Sequence, residues 1–179
     1  MREFRNLIIL APLIFALHHF EEHIILNFRE WRLKYFLDNN TLSTEEVLIR
    51  LIALLLIIVI VHIIKKNRGS AHVVMFFLMT TQVVNAFFHI FFSFYFLDFS
   101  PGAITATLLY LPVNYLIFRA AFYEGYLRNA SEFFMIFIAA ILAFSLFELI
   151  GPIVIGYSVL LMPFYYFVIN RRKVRAIEK

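Results

Sequence analysis

Six long apolar runs constrain the fold of this 179-residue chain more than any other feature of its sequence. A helix needs about 20 apolar residues to cross a hydrocarbon core about 30 Å thick, and each run approaches or exceeds that length. The runs are Phe4 to Phe28, Val47 to Ile64, Val73 to Leu97, Ala103 to Phe122, Phe133 to Ile150 and Ile153 to Ile169. We therefore predict an all-α bundle of six transmembrane helices that forms a single domain over residues 1–179.

The composition agrees with a membrane protein and limits which side chains could bind a metal. Hydrophobic residues make up 63% of the chain, its mean hydropathy is +0.84, and only 16% of its residues are charged. These values are far from those of a soluble domain. Because the chain has no cysteine, it can form neither a disulfide nor a thiolate metal site. Any bound metal must be held by histidine and carboxylate.

The basic residues orient the helices in the membrane and do not indicate a nucleic-acid partner. The net charge is +4, but the Lys and Arg residues fall in short loops between apolar runs. With six spans, 12 of the 16 lie on one side, namely Arg2, Arg5, Lys65, Lys66, Arg68, Arg119, Arg128, Arg171, Arg172, Lys173, Arg175 and Lys179. Since cytoplasmic loops carry the excess of positive charge, both termini are predicted to be cytoplasmic.

The turn between the last two runs and the segment after the first run are predicted from local residues. Only Gly151 and Pro152 divide the last two runs, a pair that can end one helix and begin the next. If this pair were a kink in one long helix, the basic tail would change sides and the charge bias would largely vanish, which favours the turn. The segment 29–38 mixes aromatic with basic residues and is predicted to be an interfacial helix on the outer surface.

The first apolar run contains a dense ionisable cluster, His18-His19-Phe20-Glu21-Glu22-His23. A charged side chain inside a membrane costs about 2.5 to 3.5 kcal/mol on insertion scales, so the cluster is a functional-site hypothesis. At 100° per residue, His18, Glu21 and Glu22 fall on one face of a helix. The alternative without a functional site is a turn at the outer interface whose side chains reach water. It explains one or two ionisable groups better than five.

A second helix carries a polar stripe, formed by Gln82, Asn85, His89 and Ser93. This helix and the first run in the same direction, so His89 lies in the outer half of the bilayer, as does the cluster. A histidine and a carboxylate on one helix, joined by His89 from another, can hold a metal ion with an open position. Asn85 could orient a ligand or bind a substrate carbonyl. The alternative for the stripe is interhelical hydrogen bonding.

Other polar residues support weaker interpretations. His62 and His72 flank a basic loop and are predicted to be solvated. Glu148 is interpreted as a carboxylate at the end of a helix, while the roles of His19 and His23 stay open. Thr105 begins the fourth run at the outer level, where the polar groups of four helices converge.

These residues carry a resemblance to a known family. His18-x-x-Glu21-Glu22, then Asn85-x-x-x-His89, then Pro101-Gly102-x-x-Thr105 with Pro112, resemble the HXXEE-motif family of small prokaryotic integral membrane proteins. The similarity reaches to about Phe118 and includes Phe28 and Trp31. It implies a prokaryotic cytoplasmic membrane and a shared site of His18, Glu21, Glu22, Asn85, His89 and Thr105. The family's function is not established, so the resemblance implies no reaction.

The leading hypothesis is a metal-dependent membrane enzyme that acts on a lipid or another membrane-soluble substrate, with hydrolysis slightly ahead of oxidation. A divalent metal, zinc or iron, would be held by His18, His89 and one of the two glutamates, preferably Glu22. The remaining glutamate is the candidate base, and catalysis is assigned to Glu21, Glu22 and Asn85. Asn85, Thr105 and Gln82 are the candidate substrate-binding residues.

Two alternatives remain beside the enzyme. A small proton- or cation-coupled transporter, or a membrane ligand-binding protein, could use the same polar residues. A structural membrane protein without chemistry would tolerate replacement of Glu21 and Glu22 by Gln. Membrane lipids are the expected surroundings in each case, and a homodimer is left open because small-residue pairs are too sparse to decide it.

Overall fold

The computed structural model describes residues 3–38 and 42–171 as a helical bundle. Its seven principal helices within those residues are α1 (Glu3–Ile25), α2 (Phe28–Tyr35), α3 (Thr44–Lys65), α4 (Arg68–Tyr95), α5 (Ala103–Tyr123), α6 (Ala130–Ile150) and α7 (Ile153–Arg171). The same residues contain no β-strand. All but α2 are long and apolar enough to cross a membrane, which confirms the predicted all-α class and the six apolar helices.

Local capping sets several helix ends. Gly151 adopts φ +80° and its amide donates to the Phe147 carbonyl, so α6 ends there and α7 begins at Ile153. The predicted turn between the last two helices is confirmed. By contrast, α4 begins at Arg68, before the predicted start at Val73, because the Asn67 side chain accepts the Ser70 amide and caps the helix.

The bundle is organised around α4. Of the residues in its most apolar stretch, 61% are buried inside the molecule, against 11% in both α6 and α7. It contacts α3, α5, α6 and α7 along its length, and Gln82 and Asn85 reach α1 by hydrogen bonds. Since α4 touches every other apolar helix, a polar face on it can meet side chains from several helices at once.

The expectation that His62 and His72 are solvated is wrong. Both side chains are buried, with 1% of each exposed. The His62 ring bonds the Ser70 hydroxyl, and the His72 ring contacts the Tyr165 hydroxyl and the Tyr126 carbonyl. These partners bond both nitrogens of His72 and the Nδ1 atom of His62, so both rings are held by protein groups within the packed end of the bundle.

Helix α2 covers the other end of the bundle, where the predicted interfacial segment lies. The Asn27 side chain accepts the Glu30 amide and caps it, while Trp31 and Arg32 face inward and are buried. Arg32 pairs with Glu148 at the end of α6, at 3.1 Å. The Tyr35 hydroxyl donates to Asp98, and this hydrogen bond to the carboxylate raises the pKa of the phenol. Helix α2 is therefore anchored at two points.

Five of the twelve basic residues on the predicted cytoplasmic side lie outside the described ranges. They are Arg2 and the basic tail residues Arg172, Lys173, Arg175 and Lys179. Within the described part, the amide of Phe4 donates to the side chain of Glu124, so α1 begins beside the end of α5. The ionisable cluster of α1 consequently lies at the opposite end of the bundle, next to the start of α5.

Candidate metal site

The Glu22 carboxylate is the centre of the site. It is 3% exposed and lies among four imidazole rings. Its Oε1 atom is 3.3 Å from His18 Nε2 and 2.9 Å from His89 Nε2. Its Oε2 atom is 2.6 Å from His19 Nδ1 and 3.6 Å from His23 Nε2. One buried carboxylate therefore has a pair of histidines at each of its two oxygens.

The two most deeply buried rings are held from behind by hydroxyl groups. His18 Nδ1 lies 2.9 Å from the Thr105 hydroxyl, and His89 Nδ1 lies 2.9 Å from the Ser100 hydroxyl. Both rings have no exposed surface. Hydrogen bonds of this kind fix the orientation of a metal-ligating imidazole and leave the other nitrogen facing the ligand. In both rings the other nitrogen faces Glu22.

His18 has polar partners at both of its ring nitrogens. Its Nδ1 atom lies 2.9 Å from the Thr105 hydroxyl, which also donates to the Gly102 carbonyl. Its Nε2 atom lies 3.1 Å from Asn85 Nδ2 and 3.3 Å from Glu22 Oε1. The ring is therefore held from both sides, and its Nε2 atom faces the carboxylate.

Glu21 contacts different groups although it is adjacent in sequence. Its carboxylate accepts the backbone amides of Thr105 at 2.7 Å and of Ile104 at 3.3 Å. These amides belong to the first turn of α5, which has no partner for them within the helix. Glu21 therefore caps α5 and fixes Thr105 beside His18.

The remaining predicted site residues divide into two groups. Asn85 lies in the site, with its Nδ2 atom 3.1 Å from His18 Nε2. Gln82, one turn earlier on α4, instead donates to the Ala11 carbonyl and accepts from Asn114. The structure thus brings His18, Glu22 and His89 together with Asn85, and it places Gln82 in an interhelical hydrogen-bond pair.

A comparison with known protein families gives one match to this chain. The model of a family described as "Protein of unknown function with HXXEE motif" matches residues 9–117, which include every residue discussed above around Glu22. This chain belongs to the HXXEE family. The residues that spell the motif are His18, Glu21 and Glu22. No curated protein and no solved structure matches the chain.

The HXXEE motif lies where the helices depart from α-geometry. A π-helical segment spans Glu21–Ile25 in α1, another spans Met79–Val84 in α4, and a third spans Ala106–Tyr110 in α5. Such segments are rare and occur often at functional sites. Because their hydrogen bonds join residues i and i+5, Thr105 and Tyr110 both reach His18, whose ring centroid is 4.3 Å from that of Tyr110.

Several residues of the HXXEE site have no role in the sequence prediction. His19 and His23 lie at positions i−3 and i+1 from Glu22, and this spacing was the signal that could have assigned them to the site. Ser100 and Tyr110 were not considered. Ser100 holds the ring of His89, but it precedes α5 in a loop, so no helical periodicity could have associated the two residues.

The donor set of the HXXEE site fits a divalent metal. The ring nitrogens of His18 and His19 and a Glu22 oxygen lie within 4.8 Å of one another. The buried Nε2 atoms of His89 and His19 have no well-formed hydrogen bond. Adjacent ligands of a tetrahedral zinc ion are about 3.3 Å apart when its bonds are about 2.0 Å long. The distance from Glu22 Oε1 to His18 matches that value, whereas His89 lies closer to the carboxylate, at 2.9 Å.

A partly open cavity reaches the HXXEE site from one side. His19, Glu22 and His23 line it together with Asn85. His18 and His89 lie behind Glu22, and they are absent from the cavity wall. A molecule in the cavity would thus meet the Oε2 side of the carboxylate first.

Proposed function

We propose that this protein is a metal-dependent enzyme of the membrane that acts on a membrane-soluble substrate, with hydrolysis favoured over oxidation. One observation carries the proposal. The single carboxylate of Glu22 is buried among four imidazoles at the end of a cavity. A buried carboxylate is costly unless it is paired or binds a cation, and unusual groups of this kind cluster at functional sites.

His18, Glu22 and His89 would hold the ion, with His19 available from the cavity side. A ligand set of two histidines and one glutamate is that of catalytic zinc sites, which keep a position open, and histidine with carboxylate also suits iron. When bound, such an ion lowers the pKa of a water molecule and polarises a carbonyl oxygen.

The other residues of the site orient and bind. Thr105 and Ser100 fix the rings of His18 and His89, and Asn85 offers an amide to a substrate oxygen at the cavity wall. Because both oxygens of Glu21 accept backbone amides, the geometry favours a positioning role for it over a role as base. His19 and His23 face the cavity and are better placed to transfer a proton.

The proposed location is a prokaryotic cytoplasmic membrane, with both termini in the cytoplasm and the metal site toward the outer leaflet. The described basic residues Lys65, Lys66 and Arg68 lie in or beside the loop between α3 and α4. That loop is at the end of the bundle opposite to the site, and cytoplasmic loops carry the positive charge.

A second candidate is a proton- or cation-coupled carrier that uses the same residues. A buried polar pair, Gln82 with Asn114, continues from Asn85 toward the opposite end of the bundle and favours this reading. Such a carrier would take up protons or cations into vesicles. The enzyme would instead convert a substrate with no gradient across the membrane.

Metal analysis of the purified protein tests the proposal. After reconstitution with Zn²⁺ or Fe²⁺ and removal of free ions, we expect wild-type protein to retain metal. Glu22→Gln and a His18→Ala, His89→Ala double variant should lose it. His62→Gln, which alters a buried histidine far from Glu22, is the matched control and should retain metal. Wild-type protein without metal, or equal binding in the Glu22→Gln variant, would overturn the proposal.

A further inference from the structure

The cavity beside Glu22 has walls from most of the bundle. Its lining comes from α1, α3, α4, α6 and α7, and α2 covers one end. Its volume is about 180 Å³. The family match ends at residue 117, so the wall supplied by α6 and α7 lies outside the part of the chain that carries the motif.

The cavity changes in character along its length. At the end near Glu22 it meets His19, His23, Arg29, Arg32, Asp38 and Glu148. Beyond Asn85 its wall is mostly apolar, with Phe15, Leu51, Leu54, Phe76, Phe77 and Met162. The hydroxyls of Thr80 and Thr81, which also line it, donate to the carbonyls of Phe76 and Phe77. These threonines consequently do not require a polar ligand.

The cavity is long and narrow. From Asn85 to Phe76 on α4 it follows nine residues, or about 14 Å at a rise of 1.5 Å per residue. An apolar cavity of about 150 Å³ holds a single benzene ring, so the present volume suits one slender chain and not two side by side. A polar group at one end and one hydrocarbon chain behind it describe a single-chain amphiphile.

We infer that the cavity binds one fatty acyl chain, with its carbonyl head at Glu22, His19 and His23 and its tail among Leu54, Phe76 and Met162. This inference names the substrate class of the proposed enzyme. That the bound chain is a substrate rests on the proposed function. Binding of the chain itself depends on burial of apolar surface, and it does not require the metal.

Photo-crosslinking locates the chain. The probe is dodecanoic acid with a diazirine at its terminal carbon, added to protein in phospholipid nanodiscs and mapped by mass spectrometry. We expect labels on Leu54, Phe76 and Met162. Ala143→Trp fills the cavity wall on α6 and should reduce these labels about tenfold, equivalent to about 1.4 kcal/mol. Ala139→Trp, an exposed position four residues earlier on α6, is the matched control and should leave them unchanged.

The outcomes separate this inference from the proposed function. Labels spread over the exposed faces of α6 and α7, and equal in the two tryptophan variants, would overturn the inference and indicate bulk lipid only. Labels in the cavity of the metal-free His18→Ala, His89→Ala double variant, whose substituted residues do not line the cavity, support it independently of any ion. Cavity labels in a protein that binds no metal would leave the inference intact and overturn the metal-dependent enzyme.

Discussion

At the scale of single residues, the two adjacent glutamates of the motif have different surroundings. Glu22 meets imidazole nitrogens, whereas Glu21 meets backbone amides of α5. A carboxylate that accepts amide hydrogen bonds is already paired, and it has less need of a cation than one surrounded by imidazole nitrogens. We therefore expect substitution of the two residues to produce different losses.

Replacement of Glu21 by glutamine should cost stability and not metal. Hydrogen bonds to a charged group contribute about 1.5–3 kcal/mol, and Gln retains one acceptor but no charge, so we expect Glu21→Gln to lose about 2 kcal/mol. Thermal unfolding in detergent measures this loss. Glu3→Gln, at an exposed position in the first turn of α1, is the control. Full stability together with lost metal would contradict the assigned role.

Gly102 fits between two site residues. It has φ +94°, and a Cβ atom there would lie 2.8 Å from both Glu22 Cγ and His18 Cε1. We expect Gly102→Ala to displace these side chains and to weaken metal binding, because overpacking costs about 1–3 kcal/mol beyond the backbone strain. Metal content and thermal unfolding are the measurements.

Gly125→Ala is the matched control for this variant. Gly125 also has a positive φ, +74°, but a Cβ atom there meets nothing within 4 Å. Both alanines carry the backbone cost of about 1–2 kcal/mol, and only one approaches the site. If the two variants bound metal equally well, close packing against Gly102 would not position the site.

At the scale of elements, α2 closes the polar end of the cavity. Phe28 packs against the ring of His89, with 5.2 Å between the centroids, and Arg32 pairs with Glu148 across the opening. A short amphipathic helix has little stability alone, so such contacts hold it in place. We expect movement of α2 to widen access to this end of the cavity.

The Arg32 to Glu148 pair should control that motion. Arg32→Met removes the charge and leaves Glu148 without this cation, so we expect amide hydrogen exchange in Phe28–Tyr35 to rise about tenfold. Exchange followed by mass spectrometry in nanodiscs gives the measurement. Arg29→Met changes a more exposed pair with Asp38 and should have a smaller effect. Equal exchange in both variants would show that other contacts hold α2.

At the scale of the whole molecule, the chain order places the site and the basic loop at opposite ends of one bundle. The α1 cluster, the start of α5 and Glu148 at the end of α6 share one end. The proposed orientation of that end in a membrane follows from the charge bias of the loops.

Single-cysteine labelling tests the orientation, because the native chain has no cysteine to remove. Leu97 follows α4 near the site and is 92% exposed, while Tyr123 ends α5 at the other end and is 84% exposed. With cells and an impermeant maleimide, Leu97→Cys should react and Tyr123→Cys should react only after permeabilisation. The reverse pattern would place the site toward the cytoplasm.

The apolar runs by themselves determined six helices that are long and apolar enough to cross a membrane, since length and hydropathy alone decide which segments can do so. Periodicity also placed His18, Glu22 and His89 on facing helices. It could not distinguish the partners of Glu21 from those of Glu22, because these depend on how α5 docks against α1. Burial of His62 and His72 escaped prediction for a similar reason, as their hydroxyl and carbonyl partners come from distant segments.

Only the tertiary structure decided how the ionisable residues are arranged. The π-helical segment of α5 alters the face that regular periodicity predicts, so Tyr110 joins Thr105 beside His18. The cavity exists because α6 and α7 enclose space beside α1 and α4, and no local pattern specifies such a void. Helix formation is governed by neighbouring residues, whereas a site of this kind depends on the relative rotation and separation of packed helices.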